Sequence, residues 1–461
     1  LKPEGLFFPV DVSTSSRATI GGMSGNNSCG SRSLRYGTMR DNVAAIDAIL
    51  ADGTSARFEE VARDRIEHGR NEPSQVRELI IRLLSLGERE AAEIDARFPK
   101  LMRRVGGYNI DALTPEHARP NLAHLLVGSE GTLAFSSAID LKLARIPTKK
   151  VLGVCHFPSF YEAMSAPQHI VKLGPSAVEL VDRTMVELGR EIPLFRPVVD
   201  RFVMGDLGFR GGVVEALEPE FQQSIWEVRK QGLNIMMSMK GDGKPVSFIE
   251  DCAVALEDLA DYTARLNEVF AQHGTKGTWY AHASVGCLHV RPVLNMKSEI
   301  EVGKMRAIAE EAFALVREYK GSHSGEHGDG LVRSEFHQPM FGTRMVESFK
   351  EVKDLFDPDG RMNPGKIVDP PKMDDRSLFR YKPGYKAEPL ETALDWSDWD
   401  GFAGAVEMCN NNGACRKLDA GVMCPSYRVT RDEQHLTRGR ANSLRLAISG
   451  QLGAGALTSD A

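Results

Sequence analysis

At 461 residues the chain has room for two or three domains, and 26% charged with 42% hydrophobic residues is the balance of a globular protein in water. A net charge of −6 without an arginine-rich stripe argues against nucleic-acid binding, and no apolar run approaches the roughly 20 residues that span a bilayer. Seven cysteines, an odd number without a regular framework, predict a reducing compartment: a cytoplasmic protein, free or on the inner face of the membrane.

Residues 19–30 hold Gly21, Gly22, Gly25 and Gly30 with Asn26 and Asn27. So much glycine predicts no stable helix there. The composition suits either a backbone that wraps closely around a ligand or a flexible loop. Residues 42–50 read as an apolar strand, and Ala51-Asp52-Gly53-Thr54 as a hairpin turn. Over residues 74–97, Glu and Arg alternate with Leu and Ile at helical spacing. A second glycine loop, Gly128-Ser129-Glu130-Gly131, follows an apolar run, and its backbone N–H groups could face an anion.

Further along, residues 151–157 read as a buried strand, 161–173 as a helix stopped by Gly174-Pro175, and 177–181 as another strand. Amphipathic helices are predicted over 255–272 and 299–319. Between them lies Trp279-Tyr280-Ala281-His282, then Ala283-Ser284-Val285-Gly286, then Cys287-Leu288-His289-Val290-Arg291. If Gly286 turns the chain, His282 and His289 converge on one point. The turn Ser324-Gly325-Glu326-His327-Gly328-Asp329-Gly330 can add a carboxylate, completing a two-His, one-carboxylate metal site from His282, His289 and Glu326. Such a donor set suits zinc, with manganese or iron as alternatives, and leaves His327 free for proton chemistry. The same residues also read as hydrogen-bonded core histidines beside an ordinary turn.

Asp357-Pro358-Asp359-Gly360 is a tight turn, and residues 369–400, rich in proline, charge and aromatics, read as an extended linker. Cys409, Cys415 and Cys424 fall close together near the end of the chain. The first two resemble the start of a bacterial ferredoxin motif with Asn412 in the place of the middle thiolate, and Cys424-Pro425 matches its Cys-Pro end.

The Gly21 to Gly37 loop, the Gly128 to Leu133 loop and the two histidine stretches, in this order, resemble FAD-linked oxidoreductases of the vanillyl-alcohol-oxidase superfamily. Within it the likeness is to the D-lactate and D-2-hydroxyglutarate dehydrogenase branch, in the long bacterial form fused to an iron–sulfur region. The resemblance implies an α+β fold with a partial FAD-binding domain of the PCMH type over residues 1–145, expected to lack a preceding pyrophosphate-binding segment. It further implies an antiparallel-sheet cap with helices over 146–335, a return to the flavin over 336–370, a linker over 371–400, and the start of a helical ferredoxin-like domain over 401–461. Omitted residues are expected near 202–212.

By the same resemblance, Gly21, Gly22, Gly25, Asn26, Gly30, Gly128, Glu130, Gly131 and Asn363 bind FAD non-covalently. His282, His289 and Glu326 bind the metal, and His327 takes the substrate proton. Arg229 grips the substrate carboxylate, with Arg291 a second candidate because it shares a strand face with His289. Cys409, Cys415 and Cys424 begin a [4Fe-4S] relay. The expected reaction is oxidation of a D-2-hydroxy acid to the 2-oxo acid, with electrons passed to a quinone, cytochrome or electron-transfer protein. Two other functions fit the residues alone: a flavin-free metallohydrolase at the His/His/Glu site, and a non-catalytic electron-transfer module.

Overall fold

The computed structural model describes residues 1–63, 73–203, 212–418, 423–453 and 455–458. The expected omission near residues 202–212 falls on 204–211, outside the described residues.

The first part of the chain is built around a three-stranded antiparallel sheet with one long helix. Its elements are helix α1 (Ile20–Gly25), strands β1 (Val43–Ile49) and β2 (Ser55–Phe58), helix α2 (Ser74–Arg97) and strand β3 (Phe135–Leu141). The sheet runs β2-β1-β3. Gly53 closes the β1–β2 hairpin at φ 88°, a left-handed conformation natural to the Asp-Gly pair. In α2, Val76, Leu79, Ile80, Leu83 and Leu84 are buried at helical spacing, while Glu78 and Arg82 between them are exposed.

Helix α1 corrects the expectation of no helix in the glycine-rich stretch. Thr19 caps it by accepting the Gly22 N–H at 3.1 Å, and its last carbonyls are taken by another loop: Ser24 O by Gly128 N (2.9 Å) and Gly25 O by Glu130 N (2.7 Å). Tertiary hydrogen bonds replace the missing intrinsic propensity.

The second part holds a four-stranded antiparallel sheet with β4 (Leu180–Val181), β5 (Lys244–Pro245), helix α3 (Leu259–Gln272), β6 (Gly277–His282), β7 (Cys287–Leu294) and helix α4 (Glu299–Glu318). The order is β4-β6-β7-β5. The central hairpin β6–β7 is buried on both faces. Trp279 points into the main core against Phe160 and Phe270. Tyr280, on the opposite face, joins a second core with Met185, Phe202, Phe221, Val228 and Met236. Helix α5 (Thr343–Phe356) then returns the chain to pack on α2.

Three local expectations are corrected. The strand expected over 151–157 is Leu152–Cys155, paired among the described residues only with Val213–Ala216, and Val151 is 83% exposed: apolar content alone did not make it a core strand. The helix expected over 161–173 breaks at Pro167, which cannot donate into the preceding turn, into Phe160–Ser165, Pro167–Ile170 and a 3-10 turn. The strand expected over 177–181 pairs only at Leu180–Val181. Within residues 371–400, expected as a linker, 3-10 turns occupy Arg376–Leu378 and Ser397–Trp399, and residues 379–396 carry neither helix nor strand. Helices Phe402–Glu407, Pro425–Thr430 and Thr437–Ile448 follow. Among the described residues, no helix is long and apolar enough to cross a membrane.

Candidate active site

In the β6–β7 hairpin Tyr280 stands opposite His289, and His282 opposite Cys287. Residues two apart on a strand share a face, so His282, Tyr280, His289 and Arg291 point the same way. The reversal depends on Gly286, at φ 65°, where an added Cβ would lie 1.9 Å from the Val254 carbonyl oxygen. Only glycine fits.

The turn at residues 325–330 faces this hairpin and is held from two directions. Asp251 Oδ2 accepts the backbone N–H groups of Gly325 (3.0 Å), Glu326 (2.9 Å) and His327 (2.7 Å), a nest around one carboxylate oxygen. The Glu130 carboxylate accepts those of Asp329 (2.6 Å) and Gly330 (3.0 Å).

So fixed, Glu326 Oε2 lies 2.9 Å from His282 Nε2, 3.7 Å from His289 Nε2 and 3.0 Å from Arg103 Nη1. Arg103 is wholly buried and also donates to the Gly30 carbonyl at 2.6 Å. His282 Nδ1 meets Glu179 Oε1 at 2.7 Å, which turns Nε2 toward Glu326. Burial opposes charge on His282, yet Glu179 and Glu326 outweigh it and raise the pKa to about 9. Burial and the neighbouring His282 push His289 well below its usual range. Burial would raise Glu326, but His282 and Arg103 hold it well below the usual carboxylate range. Two imidazole nitrogens and one ionised oxygen, all within 4.8 Å of one another, fit a divalent ion with an open position.

His327 stacks on His289, ring centroids 4.9 Å apart at 16°. Its Nδ1 faces Glu250 Oε1 at 3.1 Å, and its side chain is one-third exposed. Burial opposes charge here too, but Asp251, Glu250 and Glu326 outweigh it and raise the pKa.

Tyr280 links both arginine candidates to this centre. Its ring lies 4.8 Å from that of His289, and Arg229 and Arg291 sit over it at 4.7 and 5.3 Å. Arg291 donates to Tyr280 Oη (2.5 Å) and to Ser247 Oγ (2.8 Å), so its fork is occupied by protein. Arg229 Nη2 lies 2.5 Å from Glu179, while its Nε is buried without a hydrogen bond.

The flavin candidates meet at the same turn. Asn26 Nδ2 donates to the Glu326 carbonyl (3.0 Å), and Asn363 Nδ2 to that of Glu130 (2.7 Å). Gly128 binds back onto α1, and an added Cβ at Gly328 would lie 2.7 Å from both Asn26 Oδ1 and Glu130 Oε1. Gly21 and Gly22 are exposed, and an added Cβ at Gly21 or Gly131 would meet nothing within 4 Å. Gly30 answers instead to packing, since a Cβ there would lie 1.6 Å from Asp11 O. Three separate glycine- and asparagine-bearing stretches are thus hydrogen-bonded to one another beside Glu326.

Sequence reasoning missed Asp251, Glu250, Glu179, Arg103 and Tyr280. One signal existed: Glu250-Asp251 is an acidic pair inside the apolar run Val246-Ser247-Phe248-Ile249 and Cys252-Ala253-Val254. Among the described residues, Cys409, Cys415 and Cys424 are not brought together as a ligand group. Cys415 and Cys424 share a small buried cluster with Tyr427 and Leu436, and Cys424 Sγ accepts the Thr437 N–H at 3.0 Å.

Residues 146–203 and 200–367 match the family described as FAD linked oxidases, C-terminal domain, and residues 1–59 match the FAD binding domain family. A D-2-hydroxyglutarate dehydrogenase of Pseudomonas putida is 30% identical over 96% of this chain, and one of Escherichia coli is 31% identical over 96%. A mitochondrial D-lactate dehydrogenase [cytochrome] of Arabidopsis thaliana is 25% identical over 80% of the chain and is covered over 59% of its length. The chain spans 47% of the length of each of the two bacterial relatives.

Proposed function

The chain belongs to the FAD-linked oxidases, and from this premise we propose that the full-length protein oxidises a D-2-hydroxy acid, D-2-hydroxyglutarate or D-lactate, to the 2-oxo acid. One observation carries the reading: His282, His289 and Glu326 converge beside the hydrogen-bonded stretches that carry Asn26, Glu130 and Asn363. The glycine loops and these side chains would hold FAD, and the His/His/Glu set a divalent ion, zinc with manganese or iron as alternatives. When bound, FAD accepts a hydride, and the ion binds and acidifies the substrate hydroxyl.

The remaining work belongs to side chains. With Nδ1 directed at Glu250, His327 presents Nε2 as the atom that takes the hydroxyl proton. Arg229, with Nε open, grips the substrate carboxylate. Arg291 acts through Tyr280, keeping that ring between Arg229 and His289.

Electrons then leave for a quinone, cytochrome or electron-transfer protein through a [4Fe-4S] relay begun by Cys409, Cys415 and Cys424. Its support is the cysteine pattern, and the segment touches both halves, Arg17 Nε donating to the Asn412 carbonyl at 2.8 Å and Lys297 Nζ lying 2.6 Å from Glu407. Seven free cysteines support a cytoplasmic protein, free or peripheral on the inner membrane face.

The test is anaerobic mixing of the full-length protein with each acid while the flavin spectrum is followed. Bleaching by the D-acid and not by its L-enantiomer is expected. A flavin left oxidised by both D-acids would remove the proposal.

A further inference from the structure

Behind the turn lies a second cluster that the proposed reaction does not use. His323 precedes the turn, Asp329 is within it, and His337 opens the helix His337–Phe341. All three are buried, and none belongs to the His282, His289, Glu326 set. His337 Nε2 is 3.0 Å from Asp329 Oδ2, and His323 Nε2 is 3.6 Å from Asp329 Oδ1. The two imidazole rings stand at 87° with centroids 5.5 Å apart.

The hydrogen bonds available here leave a deficit. His337 Nδ1 lies 3.0 Å from the Ile367 carbonyl oxygen, which can only accept, so Nδ1 carries the hydrogen. In the neutral ring Nε2 is then a lone pair aimed at a carboxylate, acceptor against acceptor. Protonating His337 would resolve that contact alone. It would do nothing for His323, neither of whose ring nitrogens has a hydrogen-bond partner, nor for Asp329 Oδ1, which also lacks one. Groups buried this deeply are costly when unsatisfied.

A single cation between the two imidazoles and the carboxylate relieves the His337 contact and gives His323 Nε2 and Asp329 a partner, leaving only His323 Nδ1 without one. We propose that His323, Asp329 and His337 form a second metal site, structural in role, for a divalent ion of the zinc type. Zinc–nitrogen and zinc–oxygen bonds near 2.0–2.2 Å imply about 3.3 Å between neighbouring ligand atoms of a tetrahedron; here His337 Nε2 lies 3.0 Å from one Asp329 oxygen and His323 Nε2 3.6 Å from the other, and one ligand atom from each residue lies within 4.8 Å of the other two. An outer shell is present: the Ile367 carbonyl orients His337, and the Gly107 N–H donates to Asp329 Oδ2 at 2.8 Å. Gly106 leaves the space beside the ligands clear, since a Cβ there would come within 2.9 Å of His323 Cε1 and 3.3 Å of Asp329 Oδ1. Phe313 and Phe341, each with its ring centroid 5.7 Å from that of His323, wall the cluster. A closed site without a path for substrate fastens structure; this one ties the Asp329 end of the turn to two other segments.

Metal analysis of the full-length protein tests this directly. Wild type should carry two divalent ions per chain, with one retained in His289→Ala and one in His323→Gln. Removing the ion of His289→Ala with a chelator should lower its unfolding temperature, and zinc alone should restore it. If His323→Gln fails to fold, His289→Ala still decides, because its only remaining ion must then be at the second site. A folded His289→Ala protein without metal, or a His323→Gln protein with wild-type metal content, would overturn the proposal. Loss of metal in His323→Gln but not in His289→Ala would uphold this site and refute the other.

Discussion

His282 and Glu179 are paired through Nδ1 and Oε1 at 2.7 Å, and this contact aims the other ring nitrogen at Glu326. Glu179 sits next to the short strand β4, which pairs with β6 just beside His282. The sheet therefore sets the orientation of the His282 ring through Glu179, which stands outside the His282, His289, Glu326 set.

Replacing Glu179 by Gln should weaken metal binding by about 10- to 100-fold, because the partner that fixes the tautomer and basicity of His282 is lost. Zinc competition against a chromophoric chelator measures this. Unchanged affinity would mean that the hairpin alone orients the ring.

Alanine at His282, His289 or Glu326 should reduce bound metal and turnover together. His327→Ala should keep the metal and lose about 100-fold or more in rate. Metal content and single-turnover flavin reduction of the four full-length variants separate these roles.

Asp251→Ala should destabilise the protein by about 2 kcal/mol or more, since it leaves the Glu326 and His327 N–H groups without an acceptor, while the Gly325 N–H keeps the residue 251 carbonyl at 2.8 Å. Denaturant unfolding gives the figure. Asp251→Asn, which keeps one oxygen, should be milder.

Gly286→Ala should cost about 2 kcal/mol or more, through a left-handed φ and a clash with the Val254 carbonyl. Because that residue sets the convergence of the two histidines, metal affinity should fall with stability. A stable variant with native affinity would show that the hairpin tolerates another reversal.

Acid should expose the ion pairs at Asp111. Burial acts to raise its carboxyl, but Arg104 and Arg40, each at 2.8 Å, hold it well below the usual carboxylate range. A depressed pKa in the folded state means that this stabilisation is complete above the unfolded value of about 3.9 and is lost as pH falls toward the folded one. The difference in unfolding free energy between wild type and Asp111→Asn should therefore be flat from neutrality to about pH 5 and shrink below about pH 4.

The parts of the site that could be read in the sequence were those written in local pattern. His282 and His289 lie on strand-like sequence with a glycine between them, and alternation plus one left-handed residue was enough to bring them together. Asp251 was invisible because it acts on backbone N–H groups some 75 residues away, which leave no signature in the residues they belong to. Arg103 was hidden likewise, reaching Glu326 across 223 positions. In the fold, the β1–β2 hairpin and helices α2 to α4 followed from periodicity. Helix α1 did not, because its stability resides in a loop a hundred residues further on.

The turn at residues 325–330 hangs from two piers in different parts of the chain, Asp251 in the sheet half and Glu130 in the flavin half. Gly328, at φ 83°, is the link between the two sets of moorings. Any shear of one half against the other reaches the turn as tension, and the pliant link is the place for it to be absorbed. Glu326 is moored to both halves, by Asp251 on one side and by Asn26 and Arg103 on the other, while Asp329 is held by Glu130 and the Gly107 N–H of the flavin half. A displacement at this joint would therefore be felt first at Glu326, the residue that both halves hold.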